Sequence, residues 1–416
     1  MNASSSAARA ATRPGLLLGL LLLVYSFNYL DRQILSILAV PVKAELRLSD
    51  RELGLLGGLA FAALYSTMAV PLALVADRTG RSRVIAWSLA VWSAFTALCG
   101  TANSFAQLFL CRLGVGVGEA GGVAPSHALI ADSFPPERRA RALAIYSLGI
   151  PVGAAAGVLL GGYLAQAVAW RTAFAVVGLA GLVLAPVFGR LVRDPPRTAT
   201  AAPLPTGQVF ATLARKPSFW LLSFGSAAGS ICGYGVGFWL PSLMTRSFGL
   251  DLRETGQFVG ALLLVGGGTG IWLGGSLADR LGRRDRRWYA WLPAIAYAAG
   301  APLFIAGVLS HSAAAAFALL LVPQALSYLW LAPVLFAVQN LVPPQMRATA
   351  SASFLFINNL VGLGVGSSLI GELSERLAPA HGAEALRLAI AAALCLYLVA
   401  GGLLALAARR LRADWA

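Results

Sequence analysis

Asp31 and Arg32 interrupt an apolar stretch that begins at Pro14, and Arg112 and Glu119 interrupt another that begins near Phe105. A charge at membrane depth costs roughly 2.5–3.5 kcal/mol or more, so each of the four is a functional candidate by default. Tyr25, Asn28, Tyr29, Arg32 and Ser36 recur at helical spacing and form one polar stripe, with Asp31 on its flank. Arg112, Glu119 and Ser126 recur every seven residues and share a face of a second helix. Such stripes line an aqueous cavity. From the helical rise, Arg112, Asp31 and Glu119 lie roughly 10, 15 and 21 Å below one surface, so either arginine can answer either carboxylate. Two acids and two bases in a low-dielectric cavity form a charge balance that a proton or an anionic substrate can disturb. The competing reading is a permanent ion-pair clamp between two helices.

The elements that position these residues follow from composition. Of the 416 residues, 58% are hydrophobic and 12% charged, against about 25% charged in an ordinary soluble domain. No water-soluble surface can be built from that, and the apolar stretches reach the roughly 17–25 residues that span a hydrocarbon core. The expected spans are 15–41, 52–76, 84–100, 105–131, 142–166, 172–192, 218–245, 255–276, 288–308, 313–342, 348–372 and 387–408. The fold class is therefore an all-α membrane protein of twelve helices. The first apolar run is too long for a secretory signal and lacks a convincing cleavage site, so it reads as a retained helix behind a short tail.

The net charge of +15 comes from arginines in short loops rather than along one amphipathic face, so it speaks of topology and not of a nucleic-acid partner. Positive loops stay cytoplasmic. With the N-terminus inside, most of the 32 basic residues fall on the inner side; Lys43, Arg47, Arg51, Arg171, Arg246, Arg253, Arg376 and Arg387 are the ones placed outside. Both termini are thus expected in the cytoplasm of a cell carrying the protein in its inner membrane. Cys99, Cys111, Cys232 and Cys395 sit in apolar segments without paired or metal-type spacing. No metal or cofactor is expected.

The stretch Arg193–Pro217 is the longest polar segment, rich in Pro, Thr and Ala. It divides the chain into a tail 1–14, a half 15–192, a linker 193–217, a half 218–408 and a tail 409–416. The halves repeat one another. ADRTGR at Ala76 matches ADRLGR at Ala278, and PPERRARA at Pro135 matches PPQMRATA at Pro343, at separations of 202 and 208 residues. Near-constant separation implies parallel copies about an axis along the membrane normal. At 208 residues Glu119 maps to Ser327 and Arg112 to Leu320, so the repeat does not require the charges. In the repeated loops Asp77, Arg78, Gly80 and Arg81, like Asp279, Arg280, Gly282 and Arg283, sit at helix ends, where a carboxylate can cap a neighbouring helix and pair with arginine in one conformation only. That makes a conformational latch, unless the arginines serve topology alone.

The two ADRxGR loops, RLGVGVGE at Arg112 and the glycine-rich fifth helix resemble the major facilitator superfamily along essentially the whole chain. NYLDRQ at Asn28 and the text from Gly116 to Gly153 resemble its spinster-like branch. The first loop departs from the pattern, with Ala73 where Gly275 stands in the second, which is expected to loosen packing there. The resemblance implies a proton-coupled secondary transporter working by alternating access on a small organic or amphipathic lipid-like substrate. It assigns proton coupling to Asp31 and Glu119, and substrate or ion-pair relay to Arg32 and Arg112. A related branch suggests the alternative of a proton symporter for organic anions such as sugar acids.

Other motifs carry less. GVGEAG at Gly116 matches a dinucleotide-binding pattern formally, but lies in an apolar helix with no strand before it. Gly149, Gly153, Gly157 and Gly161 let the fifth helix approach a neighbour closely. His127 reads as a packing residue. Gln324, Tyr328, Asn358 and Asn359 face either the cavity, with Tyr328 joining Asn28 as a substrate contact, or one another. No nucleophile with a base, phosphate loop or metal cluster is visible, so an enzyme is not expected. The expected partners are a small-molecule substrate, protons and membrane lipid, and the chain is expected to act as a monomer.

Overall fold

The computed structural model describes residues 12–195 and 206–415; most of the expected N-terminal tail and the middle of the expected linker lie outside them. The described residues form helices and connecting turns, without strands. Twelve spans account for nearly all of them: α1 Pro14–Leu46, α2 Asp50–Thr79, α3 Arg81–Cys99, α4 Phe105–Ala120 with Val123–Ser133, α5 Glu137–Ala167, α6 Trp170–Leu191, α7 Pro217–Phe248, α8 Leu252–Gly282, α9 Trp288–Leu309, α10 Ala313–Gln339, α11 347–381 and α12 385–414. A short linker helix, Thr206–Ala214, precedes α7.

Several helices run past the apolar stretch that announced them. α1 continues through Pro41 to Leu46, with Val42 buried, and α11 continues past Gly371 to His381 with Ser374 buried, Glu372 half-buried and Arg376 exposed. Hydropathy marks the edge of the hydrocarbon, whereas the hydrogen-bond ladder continues wherever one face still packs. Helix starts follow their caps: Ser49 with Glu52 at α2, and Asp251 with Glu254 at α8, each close a reciprocal capping box.

The repeat extends to the interruptions. The break in α4 at Gly121–Gly122 is matched by one at Leu329–Trp330 in α10, and the break at Leu148 in α5 by the π-turn segment Asn358–Leu363 in α11. Breaks in spanning helices persist where neighbours re-satisfy the freed backbone groups.

Contacts between the halves join α2 to α11, α5 to α8 and α1 to α7. Their closest points lie towards the end of the molecule that carries Asp50, and glycine makes them possible. A β-carbon at Gly54 would stand 2.6 Å from the Ser367 carbonyl, and one at Gly371 2.4 Å from that of Asp50. The repeat-related pair does the same: Gly162 approaches the Leu252 carbonyl at 2.3 Å and Gly256 that of Val158 at 2.6 Å. Towards the opposite end, the α8 segment Gly268–Gly282 and the α11 segment Arg347–Ile357 pack within their own half. The α5 glycines behave as their spacing predicts, with Gly153 and Gly157 seated on the Ser26 and Leu30 carbonyls of α1. At Gly275 an added β-carbon meets nothing within 4 Å; the repeat thus has room for the side chain that Ala73 carries, and no packing role for a glycine is visible there.

Candidate functional site

Glycine also sets the site. In α4, Gly116 lies against the Phe61 carbonyl of α2 and Gly118 against the Trp92 backbone of α3. This close approach carries Arg112 and Glu119 into the middle of the first half, opposite Asp31 and Arg32 of α1. All four are brought together. Nε of Arg32 donates to Oε2 of Glu119 at 2.8 Å, with side-chain exposures of 11% and 0%. Nη1 of Arg112 stands 3.9 Å from Oδ2 of Asp31, both 2% exposed. The first is a charge-assisted hydrogen bond and the second a looser electrostatic contact. Arg32 therefore reaches across to the deeper acid, and Arg112 answers Asp31.

Asp31 is held from a third helix as well. The Thr96 hydroxyl of α3 donates to Oδ1 at 2.7 Å, and also lies 2.9 Å from the Trp92 carbonyl. Its Oδ2, Oε1 of Glu119, Nη2 of Arg32 and two nitrogens of Arg112 have no hydrogen-bond partner within the protein. The cluster thus keeps unspent donors and acceptors in a buried place, where each is costly unless a rearrangement or ligand uses it.

Aromatic rings complete the surroundings of Arg32. Its Cζ lies 5.0 Å from the Tyr29 ring centroid, 4.8 Å from Phe61 and 4.6 Å from Tyr65, within the range of cation–π attraction. Tyr25 stacks on Tyr146 of α5 at 4.3 Å, and His127 meets the same Tyr146 edge-on at 5.4 Å, a packing arrangement. Tyr234 of α7 packs against the same group of buried residues as Phe61 and Tyr65, so the second half meets the surroundings of the site with a ring. Asn28 is buried, with its carbonyl oxygen unpartnered.

The second-half polar residues are divided. Asn358 accepts from Ser230 at 2.8 Å, an interhelical hydrogen bond. Gln324 packs on Gly266, and Tyr328 lies near Gly267 and Gly270 of α8.

The repeated loops have diverged. Arg81 pairs closely with Asp132 at the end of α4, whereas Asp77 lies 3.3 Å from Arg81 and is 61% exposed. The capping expected of the loop aspartate falls to Asp194, whose carboxylate accepts the Arg81 and Ser82 amides at 2.7 and 2.8 Å. Gly80, at φ 122, lies against the same carboxylate. Arg78 remains exposed. In the second loop Asp279, Arg280 and Arg283 form no ion pair among the described residues, and Gly282 packs on the Tyr289 ring. Asp285, just beyond, does the pairing, with Arg287 and Arg412 at 2.9 and 2.8 Å.

One cluster was not anticipated. At the closed end Asp50 accepts Lys43 at 2.6 Å, Arg246 at 2.9 Å and the Ser374 hydroxyl at 2.7 Å, while its amide donates to Glu375 at 3.0 Å. Three of these four partners come from the other half of the chain.

A family model described as the Major Facilitator Superfamily matches residues 21–367. An MFS-type efflux pump of Mycolicibacterium smegmatis is 38% identical over 371 residues, 88% of this chain and 86% of that protein. Protein spinster homolog 1 of Homo sapiens is 28% identical over 88% of this chain and 74% of its own length. The crystal structure of a bacterial homologue of the human lysosomal transporter Spinster, in an inward-facing and unoccupied conformation, superposes with a TM-score of 0.87. It covers 98% of this chain and 99% of that one at 28% identity.

Proposed function

The chain belongs to the Major Facilitator Superfamily as a spinster-like, multi-pass membrane transporter, and from that premise we propose proton-coupled secondary transport of a small organic or amphipathic, lipid-like substrate. The observation that carries the proposal is the pairing of Arg32 with Glu119 at 2.8 Å beside the looser Arg112–Asp31 contact at 3.9 Å, all in the buried centre of one half. A buried carboxylate is tolerable when paired with an arginine and costly when not. If substrate draws Arg32 away, Glu119 is left either to bind a proton or to turn towards Arg112. Substrate and proton then act on one charge balance, so that binding of either changes the affinity for the other, which is what coupling requires. Asp31 and Glu119 are the coupling carboxyls in this account, and Arg32 and Arg112 the relay. Asn28 and the Arg32 Nη2 group face substrate, with Tyr328 on the opposite wall.

Alternating access follows from two closures at opposite ends. The Asp50 cluster and the glycine contacts of α2 with α11 and α5 with α8 hold one end shut. The Arg81–Asp132–Asp77 set and, on the other side, the Asp279 loop belong to the opposite end and form its gate. The loop charges favour the Asp50 end outside and both termini in the cytoplasm, which makes the shut end the outer one in this account. The halves 15–192 and 218–408, divided by the linker 193–217, rock against one another, and the protein works as a monomer in the cell's inner membrane without nucleic acid.

The test is reconstitution. Proteoliposomes containing an internal pH dye are exposed to lysolipids, sugar acids and hydrophobic drugs in turn. A substrate whose uptake moves protons, and which accumulates when a pH gradient is imposed, supports the reading. A transported substrate that is indifferent to the gradient overturns proton coupling.

A further inference from the structure

Where the linker helix ends, α7 begins and α12 finishes, the chain encloses a groove of about 670 Å³ remote from the central cluster. Arg215, Arg409 and Arg410 line it, and all three are exposed. None of them pairs with a carboxylate among the described residues. The nearby acid is already engaged: Asp414 accepts Lys216 on its carbonyl at 2.5 Å and the Ser218 amide on its carboxylate at 2.9 Å. The remaining wall is apolar and faces outward, with Trp220 41% and Leu406 47% exposed beside Leu221. Trp220 donates its indole N–H to the Ala214 carbonyl at 3.3 Å, which fixes the ring at the mouth.

We propose that this groove binds the headgroup of an anionic membrane phospholipid. Three guanidiniums with spare donors match phosphate oxygens in charge and in bidentate geometry. Tryptophan at the level of the headgroups and an apolar wall beyond it are what the glycerol and the first acyl carbons would meet. Basic recesses between spanning helices recruit such lipids. A soluble anion would use the arginines and leave Trp220, Leu221 and Leu406 without purpose.

The site has a structural consequence. On its other face the linker helix buries Val209 and Leu213 and packs on the α11 segment Arg347–Ile357. A lipid bridging Arg215 to Arg409 and Arg410 ties that helix to α7 and α12 together, so occupancy fastens the linker to the second half.

The experiment uses the purified full-length protein in detergent, titrated with phosphatidylglycerol or phosphatidylcholine and followed by melting temperature and native mass spectrometry. Phosphatidylglycerol is expected to raise the melting temperature and remain bound, and phosphatidylcholine to do neither. The triple variant Arg215→Gln, Arg409→Gln, Arg410→Gln should lose at least about tenfold of that preference. Lysine at the same three positions should retain part of it, because a point charge still binds phosphate though without the bidentate geometry. Replacing Arg138, Arg141 and Arg190 by Gln should leave it unchanged. The proposal fails if the groove's glutamine variant keeps the preference or the lysine variant loses it equally. It also fails if soluble glycerol phosphate stabilises the protein as well as the lipid does.

Discussion

Arg246 and Asp50 come from opposite halves of the chain and share one contact: Nη1 of the arginine stands 2.9 Å from both carboxylate oxygens. Because Lys43 and Ser374 converge on the same carboxylate, Asp50 joins α1, α2, α7 and α11 at the shut end. Asp50→Asn keeps the shape but offers a neutral acceptor to two cations. Loss of charge-assisted hydrogen bonds of this kind costs ~2 kcal/mol, enough to move a two-state equilibrium more than tenfold. Spin labels at positions 47 and 382, in a background without the native cysteines, should report longer distances in the variant. An unchanged distance distribution means that the glycine contacts alone hold this end.

At the other end the geometry assigns Arg81 mainly to Asp132. Asp77 is the more exposed partner and an exposed pair is worth little, so Asp132→Asn is expected to slow transport about tenfold and Asp77→Asn no more than about twofold. Asp279→Asn should be weaker still, since Asp279 forms no ion pair among the described residues. Initial rates in proteoliposomes decide the order; equal losses for Asp77→Asn and Asp132→Asn would return the latch to the loop residue.

Asp285 provides a pH test outside the membrane. The Arg287 amide and the side chains of Arg287 and Arg412 around Asp285 together hold its carboxyl below the ordinary aspartate range, against the opposing effect of desolvation. A depressed folded value means that the contribution is present above the unfolded value, near pH ~3.9, and is lost as pH falls through the folded one. The last turn of α12 should therefore stay docked at neutral pH and loosen only in acid. Asp285→Asn should produce the loosened state at pH 7, seen as faster hydrogen exchange over residues 410–415 with little change in melting temperature.

The residues differ in how far they could be read without a fold. Asp31, Arg32, Arg112 and Glu119 stand out because charge in an apolar run has no cheap explanation. Their pairing did not, since depth places Asp31 between the two α4 residues. Thr96, Phe61 and Tyr65 were invisible for the opposite reason: neutral side chains on a spanning helix look like packing until a charge is seen against them. Asp50 and Asp132 lie at the ends of apolar stretches, where an acid is commonplace in the sequence. The capping box Ser49–Glu52 marks the start of α2, yet nothing local shows that Arg246 and Ser374 arrive there. Gly54 and Gly371, and their counterparts Gly256 and Gly162, carry a repeat that the loop motifs had already announced, but their meaning lies in the carbonyls they touch.

Glu119→Gln isolates the coupling proposal. Glu119 is fully buried, takes its one hydrogen bond from Arg32 at 2.8 Å, and leaves Oε1 without a partner. Its repeat counterpart is Ser327, so the symmetry of the fold does not demand an acid there. Glutamine preserves the side chain's length and can still accept from Arg32, but it cannot take up or release a proton. Proton-driven accumulation should therefore fall to the equilibrium ratio of about one, while substrate exchange between the two sides persists because the rocking halves are intact. Asp31→Asn should be at least as severe, since that carboxyl is held by Thr96 and Arg112 together. Accumulation under an imposed pH gradient by the Glu119→Gln protein would show that the Arg32–Glu119 pair is a fixed clamp between α1 and α4, and would move the proton to another carboxyl.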